Sequence, residues 1–263
     1  MTLFHGFGFC NVAVIPLRSE PSHRAEQVTQ LLFGERAEII EVNNKDWARV
    51  VCLWDGYEGW CRYAQLTVLT KKESQKPTKY LAGGHTSKLI MPEGELYLPL
   101  GSELCGLKGG CISPVKEQGL FKGQRILINE LETNCEAVKN AVMQYLHAPY
   151  QWGGRSIAGI DCSGLTQMAF RLCNHSIPRD ASQQANEGEL VDFLQHAECG
   201  DLAFFDNKDG KIVHVGILLD NQTIIHATDA SGRVVVDKID QGGIISVSLR
   251  KRTHNLRVVR RYF

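Results

Sequence analysis

Hydrophobic and polar positions alternate in short runs over the first 70 residues. Residues 12–15 (Val-Ala-Val-Ile), 37–42 (Ala-Glu-Ile-Ile-Glu-Val) and 47–51 (Trp-Ala-Arg-Val-Val) have the period of half-buried strands, with Asn43-Asn44, Gly56 and Gly59 as punctuation. That pattern predicts a small β-barrel. Residues 71–79 are polar throughout and predict a linker. The strand pattern returns more weakly at 88–91, 95–98 and 124–128, broken by Pro92, Gly94, Pro99, Gly101, Gly109-Gly110 and Pro114. The expectation is two short β-modules in tandem, over residues 1–72 and 76–128.

From about residue 129 the period changes. Ala137, Val138, Ala141, Val142 and Tyr145 recur on one helical face between 134 and 146. A loop follows, His147 to Gly154, ending in a glycine pair. A second helical pattern runs from Cys162 to about Asn174, with Asp161 as its N-cap and Leu165, Met168, Ala169 and Leu172 at helical spacing. Asp180-Ala181-Ser182-Gln183 fits a capping-box variant opening a third helix. Residues 201–205, 213–219 and 223–227 then predict antiparallel strands. Helices first and sheet afterwards imply an α+β domain over 129–263.

Composition narrows the class without naming the chemistry. The chain has 263 residues, 43% hydrophobic and 22% charged, with no net formal charge. No basic excess points to nucleic acid, and neither a basic helix nor an 18-residue apolar run points to a membrane. The nine cysteines form no C-x-x-C pair. An odd number of unpatterned thiols suits a reducing compartment. The first ten residues lack a charged segment and a long apolar core, so no signal peptide is expected. Cytoplasmic residence is the resulting expectation, with periplasmic export the alternative for a chain trimmed of its leader.

Candidate chemistry centres on Asp161-Cys162-Ser163-Gly164-Leu165. A thiol at a helix N-terminus sits in the positive end of the helix dipole, which favours thiolate. Two histidines follow in strand-like segments, His214 and His226. If residues 213–227 fold as a hairpin about Asp220-Asn221, these two come roughly opposite each other on one face. A nucleophile, a base and a group that orients the base are the parts of covalent acyl transfer. The competing reading is a buried cysteine on an ordinary amphipathic helix with two satisfied histidines.

Residues 129–263 resemble the NlpC/P60 family of cysteine peptidases. The resemblance rests on six stretches in order: Pro149 to Gly154, Asp161 to Leu165, Pro178-Arg179-Asp180, Gly200 to Phe205, His214 to Ile217, and Ile225-His226-Ala227. It implies a papain-like α+β catalytic domain cleaving bacterial cell-wall peptides beside γ-D-glutamyl residues. Cys162 is then the nucleophile, His214 the base and His226 the residue that orients it. Tyr150 places its hydroxyl by the oxyanion together with the Cys162 backbone N–H. Trp152 either walls the cleft or is structural. Ser163 bonds the peptide, and Arg179 holds Asp180 or the cleft wall.

The two preceding modules resemble bacterial SH3 domains of murein-peptide recycling enzymes, best at residues 26–35 and 55–60. In that subgroup the first module closes the cleft, so that only peptides with a free N-terminal L-alanine fit. A buried ammonium needs carboxylates and acceptors around it. Asp180, Glu26 and the Tyr57 hydroxyl are the candidates, against plain readings as an N-cap, a solvated charge and a packed aromatic. Ala181 stands where close relatives carry a serine, which removes one hydrogen bond there.

The implied reaction is hydrolysis of the bond between γ-D-glutamate and a diamino acid, by a monomer that needs no cofactor or metal. The remaining candidates are quieter. Cys173 reads as core, and His147, His175 and His196 as surface groups. Cys52 and Cys61 flank the Tyr57 loop, where pairing stays open. Two other functions also stay open: a non-catalytic wall-binding protein, and an amidase or acyltransferase on another amide.

Overall fold

The computed structural model describes residues 6–112 and 119–263, in two compact units, Met1–Leu131 and Glu132–Phe263. The expected break at Pro114 and the reading of the first five residues fall outside the described part.

In the N-terminal unit, β1 (Gly6–Cys10), β2 (Val14–Arg18), β3 (Gln27–Leu32), β4 (Arg36–Val42), β5 (Trp47–Cys52), β6 (Glu58–Arg62) and β7 (Leu66–Leu69) form one antiparallel sheet in the order β3-β2-β6-β5-β4-β1-β7. Alternate side chains point inward, so Ile15, Leu17, Leu31, Ile39, Val50 and Cys61 share one core. Cys52 and Cys61 are both free thiols. Cys61 pairs with Ala48 and Cys52 with Ala37, so the two cysteines occupy different rungs.

The polar stretch after β7 contains a short helix, α1 (Lys71–Ser74), rather than only a linker. Thr70 and Glu73 form a reciprocal capping box, which satisfies two of the orphan N–H groups at the helix start. The four-stranded sheet that follows has the order β10-β11-β8-β9, built from β8 (Tyr80–Met91), β9 (Gly94–Tyr97), β10 (Cys111–Ile112) and β11 (Gly119–Leu127). Phe9, Phe33 and Leu69 of the first sheet share a core with Ala82, Leu89, Leu104 and Phe121.

The C-terminal unit opens with α2 (Cys135–Met143), capped by Asn134, whose side chain accepts from the Ala137 N–H. The ribbon β12 (Arg155–Ser156) and β13 (Gly159–Ile160) leads into α3 (Cys162–Arg171), and α4 (Ala181–Gln184) comes next. The sheet contains β14 (Glu189–Val191), β15 (Leu202–Asp206), β16 (Ile212–Leu218), β17 (Thr223–Thr228), β18 (Arg233–Asp240), β19 (Gly243–Ser246) and β20 (Lys251–Arg261). Its order is β14-β20-β15-β16-β17-β18-β19, with β19 also pairing back onto β20. The sequence reading covered β15, β16 and β17 but none of the strands after Thr228. No helix of the described residues is long and apolar enough to cross a membrane.

Candidate active site

The start of α3 is fixed by one carboxylate. Asp161 Oδ1 accepts from the Gly164 N–H at 2.7 Å, the N-cap bond expected from the sequence. Its Oδ2 accepts from the Gly153 N–H at 2.8 Å and from Arg179 at 2.6 Å. The glycines permit this convergence, because a Cβ on Gly164 would meet the Gly154 carbonyl oxygen at 2.3 Å. The loop carrying Tyr150 is thereby held against the helix end that carries Cys162. Tyr150 is further tied down by its N–H, which donates to the Gly232 carbonyl.

Cys162 is buried at 6% exposure. Burial, reinforced by the Asp161 charge, pushes its thiol up to about 12, against the lowering by the Val215 and Ser163 backbone N–H groups that face the sulfur. The helix dipole was expected to favour thiolate. Desolvation of the charged sulfur outweighs it in the empty site. Among the described residues no hydrogen bond links the sulfur to the His214 ring. Such contacts commonly tighten when substrate arrives.

The histidines are set by strand register. Ile217 pairs with Ile225 and Leu218 with Ile224. Continued along the hairpin, that register puts Gly216 opposite His226, so His214 and His226 are diagonal neighbours rather than directly opposite. The diagonal works because position 216 has no side chain: a Cβ there would lie 2.9 Å from His226 Cβ. His214 Nε2 lies 2.8 Å from His226 Nδ1. The next strand repeats the diagonal. Val235 of β18 pairs with His226, and Asp237, two residues on, reaches His226 Nε2 at 3.2 Å.

This chain fixes the tautomers. Asp237 Oδ1 accepts from the Val247 N–H, and hydrogen bonds from His226 and Val247 lower its pKa against the opposing cost of burial. The carboxylate only accepts, so His226 Nε2 carries a proton and Nδ1 a lone pair. That lone pair accepts from His214 Nε2–H, which leaves Nδ1 of His214 as the basic nitrogen. Burial, then the neighbouring His226 and His254, hold the His214 pKa well below its ordinary value. His214 is thus neutral in the empty site.

Asp237 and His254 were missed by sequence reading. His254 of β20 stacks on His214, ring centroids 4.0 Å apart and 19° from parallel. His214, His226 and His254 offer ring nitrogens within 4.8 Å of one another. Histidine spacing along the chain gave no sign of that group. Its arrangement is a hydrogen-bonded, stacked one: stacked rings aim their in-plane lone pairs along separate planes, and His226 spends both nitrogens on His214 and Asp237. An ion at this group would have to break those bonds.

Tyr150 is half-buried, and burial, with Cys162 and Asp161 adding to it, raises the pKa of its phenol, so the hydroxyl remains a donor. Ser163 Oγ accepts from Arg179 at 2.8 Å. Arg179, expected on Asp180 or the cleft wall, is buried behind the helix start, where it holds Asp161 and Ser163. Asp180 heads α4 but makes no side-chain cap bond, contrary to the capping-box expectation. Trp152 is 58% exposed, so it is not a core aromatic. Glu26 and Tyr57 belong to the N-terminal unit: Glu26 is exposed just before β3, and Tyr57, just before β6, packs on the barrel core. His175, read as a surface group, packs edge-on against Phe170 and Tyr262.

A cavity of about 630 Å³ opens beside His214, lined also by Tyr150, Thr228, Asp229, Lys251 and His254.

Residues 147–253 match the NlpC/P60 family, and residues 17–66 match the bacterial dipeptidyl-peptidase Sh3 domain. A γ-D-glutamyl-L-lysine dipeptidyl-peptidase of Bacillus subtilis (strain 168) is 30% identical over 222 residues, which cover 76% of this chain and 71% of the relative. The chain belongs to the NlpC/P60 family. It is a hydrolase, a cysteine peptidase with an SH3 domain ahead of its NlpC/P60 domain. Dipeptidyl-peptidase 6 of Lysinibacillus sphaericus is 28% identical over 249 residues, covering 86% of this chain and 89% of that one. An NlpC/P60 family protein of Bacillus cereus ATCC 10987 shares the fold, with a TM-score of 0.83 over 97% of this chain and 99% of its own, at 21% identity.

Proposed function

We propose that this peptidase hydrolyses the bond between γ-D-glutamate and the following diamino acid in short murein peptides with a free N-terminal L-alanine, releasing L-Ala-D-Glu. The observation that carries the chemistry is the Asp237–His226–His214 chain, which leaves His214 one basic nitrogen in the same small domain as the Cys162 thiol. The substrate class is supported by the relatives, named a γ-D-glutamyl-L-lysine dipeptidyl-peptidase and a dipeptidyl-peptidase, at 30% and 28% identity.

Cys162 Sγ attacks the γ-carbonyl carbon while its proton passes to His214 Nδ1. The oxyanion formed is held by the Tyr150 hydroxyl and the Cys162 N–H. As the C–N bond breaks, His214 returns the proton to the leaving amine, and a thioester remains. Water, giving its proton to His214, then adds to the thioester carbon; the C–S bond breaks and His214 returns the proton to the Cys162 sulfur. His226 and Asp237 keep the base in its productive tautomer. Ser163 bonds the peptide, Trp152 walls the cleft, and Arg179 holds Ser163 and Asp161 in place. Asp180 takes the L-alanine ammonium, a role for which the family resemblance also makes Glu26 and Tyr57 candidates.

The same reading makes residues 1–72 and 76–128 two SH3-like modules ahead of a papain-like domain at 129–263, acting as a monomer. It puts the enzyme in the cytoplasm, which nine unpaired cysteines suit.

Mass spectrometry of L-Ala-γ-D-Glu-L-Lys and its N-acetylated twin, each incubated with the protein, tests the reading. Cleavage of the free peptide alone is expected. Equal cleavage of both would remove the ammonium roles of Asp180, Glu26 and Tyr57. Cleavage of neither would favour another amide substrate or a wall-binding role.

A further inference from the structure

The cavity beside His214 has a charge pattern that the hydrolysis of the acyl half does not use. Asp229 and Lys251 both line it, both are exposed, and neither side chain makes a hydrogen bond or ion pair among the described residues. Arg252, the other cation of the lining, is committed: both its terminal nitrogens hold the Asp240 carboxylate, at 2.6 and 2.7 Å. Burial holds the His254 pKa down to about 4, so its ring adds no positive charge at neutral pH. The cavity therefore presents one uncommitted anion and one uncommitted cation.

The chemistry identifies which half of the substrate lies there. The acyl half stays bonded to Cys162 through the thioester, and Cys162 is not among the residues that line the cavity. The leaving amine must be within reach of His214 to collect its proton, so the residue attached to that amine begins at His214. His214 lines the cavity, and its 630 Å³ is ample for one or two amino acids.

We propose that this cavity is the leaving-group subsite, in which Asp229 takes the side-chain ammonium of the departing diamino acid and Lys251 takes its carboxylate. A zwitterion with charges at both ends matches two uncommitted charges of opposite sign, whereas a neutral side chain leaves Asp229 unanswered. Asp229 is also close enough to raise the pKa of the Tyr150 hydroxyl, which puts the carboxylate near the scissile bond. The strand geometry supplies Lys251: β20 carries a bulge between Arg252 and His254 where it pairs with β19, at the point where Lys251, Thr253 and His254 all turn to one cavity. The proposal rests on the peptidase reading above and extends it to the selection of the diamino acid.

The test compares kcat/KM on L-Ala-γ-D-Glu-L-Lys, its L-norleucine analogue and its C-terminal amide, using full-length wild type, Asp229→Asn and Lys251→Gln. Wild type is expected to favour the lysine peptide over norleucine by about two- to fivefold, the range of one exposed ion pair. Asp229→Asn should erase that preference by slowing only the lysine peptide. Lys251→Gln should slow the free carboxylate and leave the amide unchanged. If wild type discriminates but both variants retain its preferences, the subsite is elsewhere and the peptidase reading survives. Equal losses on all three peptides would likewise overturn the subsite alone. If wild type cleaves none of them, the peptidase reading falls and takes the subsite with it.

Discussion

The core of the first sheet and the start of α3 each bury a cysteine whose thiol is pushed up to about 12, mainly by desolvation. Cys61 has only burial acting on it, on a strand where alternate residues face an apolar core. Cys162 has backbone N–H groups of two residues facing its sulfur and a phenol near enough to feel its charge. A raised pKa thus fails to separate a structural thiol from a nucleophile. What separates them is the set of donors and the base supplied by other elements. On the proposed mechanism, activation at Cys162 comes when substrate arrives and His214 accepts the proton, rather than from a standing thiolate.

The largest effect expected from this contrast is on turnover. Cys162→Ala removes the atom that the proposed mechanism acylates, so cleavage of the tripeptide should fall by at least about 10³-fold. Cys61→Ala should leave turnover within about twofold while lowering stability by about 1–2 kcal/mol, the cost of a small core truncation. Steady-state kinetics and urea unfolding of the two variants read both quantities. Activity surviving in Cys162→Ala would end the nucleophile assignment.

A smaller effect sharpens the view that remote groups make the site. Asp237→Asn keeps the shape but offers an amide that can either donate or accept, so the His226 tautomer is no longer dictated. Kcat should fall by about 10- to 100-fold with KM little changed, short of the loss seen when the base's immediate carboxylate partner is altered in serine proteases. The pH dependence of kcat should move as well, which a merely structural role would not produce. Recovery of the wild-type profile in Asp237→Glu, if the longer carboxylate reaches His226, would support positioning. An unchanged profile in Asp237→Asn would place the proton order under other control.

These two predictions also mark where the sequence was legible. Local signals carried α3, because Asp161, Gly164 and the apolar spacing of Leu165 to Leu172 all lie within about three turns. They carried the hairpin too, because a turn at Asp220-Asn221 ties β16 to β17. Asp237 reaches His226, and His254 stacks on His214, by non-local pairing: β18 adds beside β17, and β20 returns to lie beside β15 and β19. Nothing in the spacing of residues 214, 226, 237 and 254 encodes that arrangement. The strand at 233–240 was not read from the sequence, and neither was its pairing in the sheet. The helix α1 was hidden for a different reason: among its residues only Ser74 is buried, so no apolar period announces it.

The smallest effect is on stability as a function of pH, and here the active-site histidines and the buried thiols should act on opposite limbs. His214 and His254 have pKa values below the ordinary histidine value near 6.5, one well below and the other at about 4. Between about pH 6.5 and 4 the unfolded chain binds more protons than the folded one, so stability rises with pH across that window. It is fully present above about 6.5 and is lost as the medium acidifies, by up to about 1.4 kcal/mol per pH unit for each histidine. Cys61 acts in reverse. Its raised pKa favours the neutral thiol in the fold, so its contribution is complete below about 8.5 and fades as pH climbs towards 12. Urea midpoints measured from pH 4.5 to 9.5 should therefore show an acid limb that flattens in His254→Gln and is untouched in Cys61→Ala. A His254→Gln chain with the full acid limb of wild type would mean that the His254 pKa is not depressed in the fold and that the limb belongs to other groups.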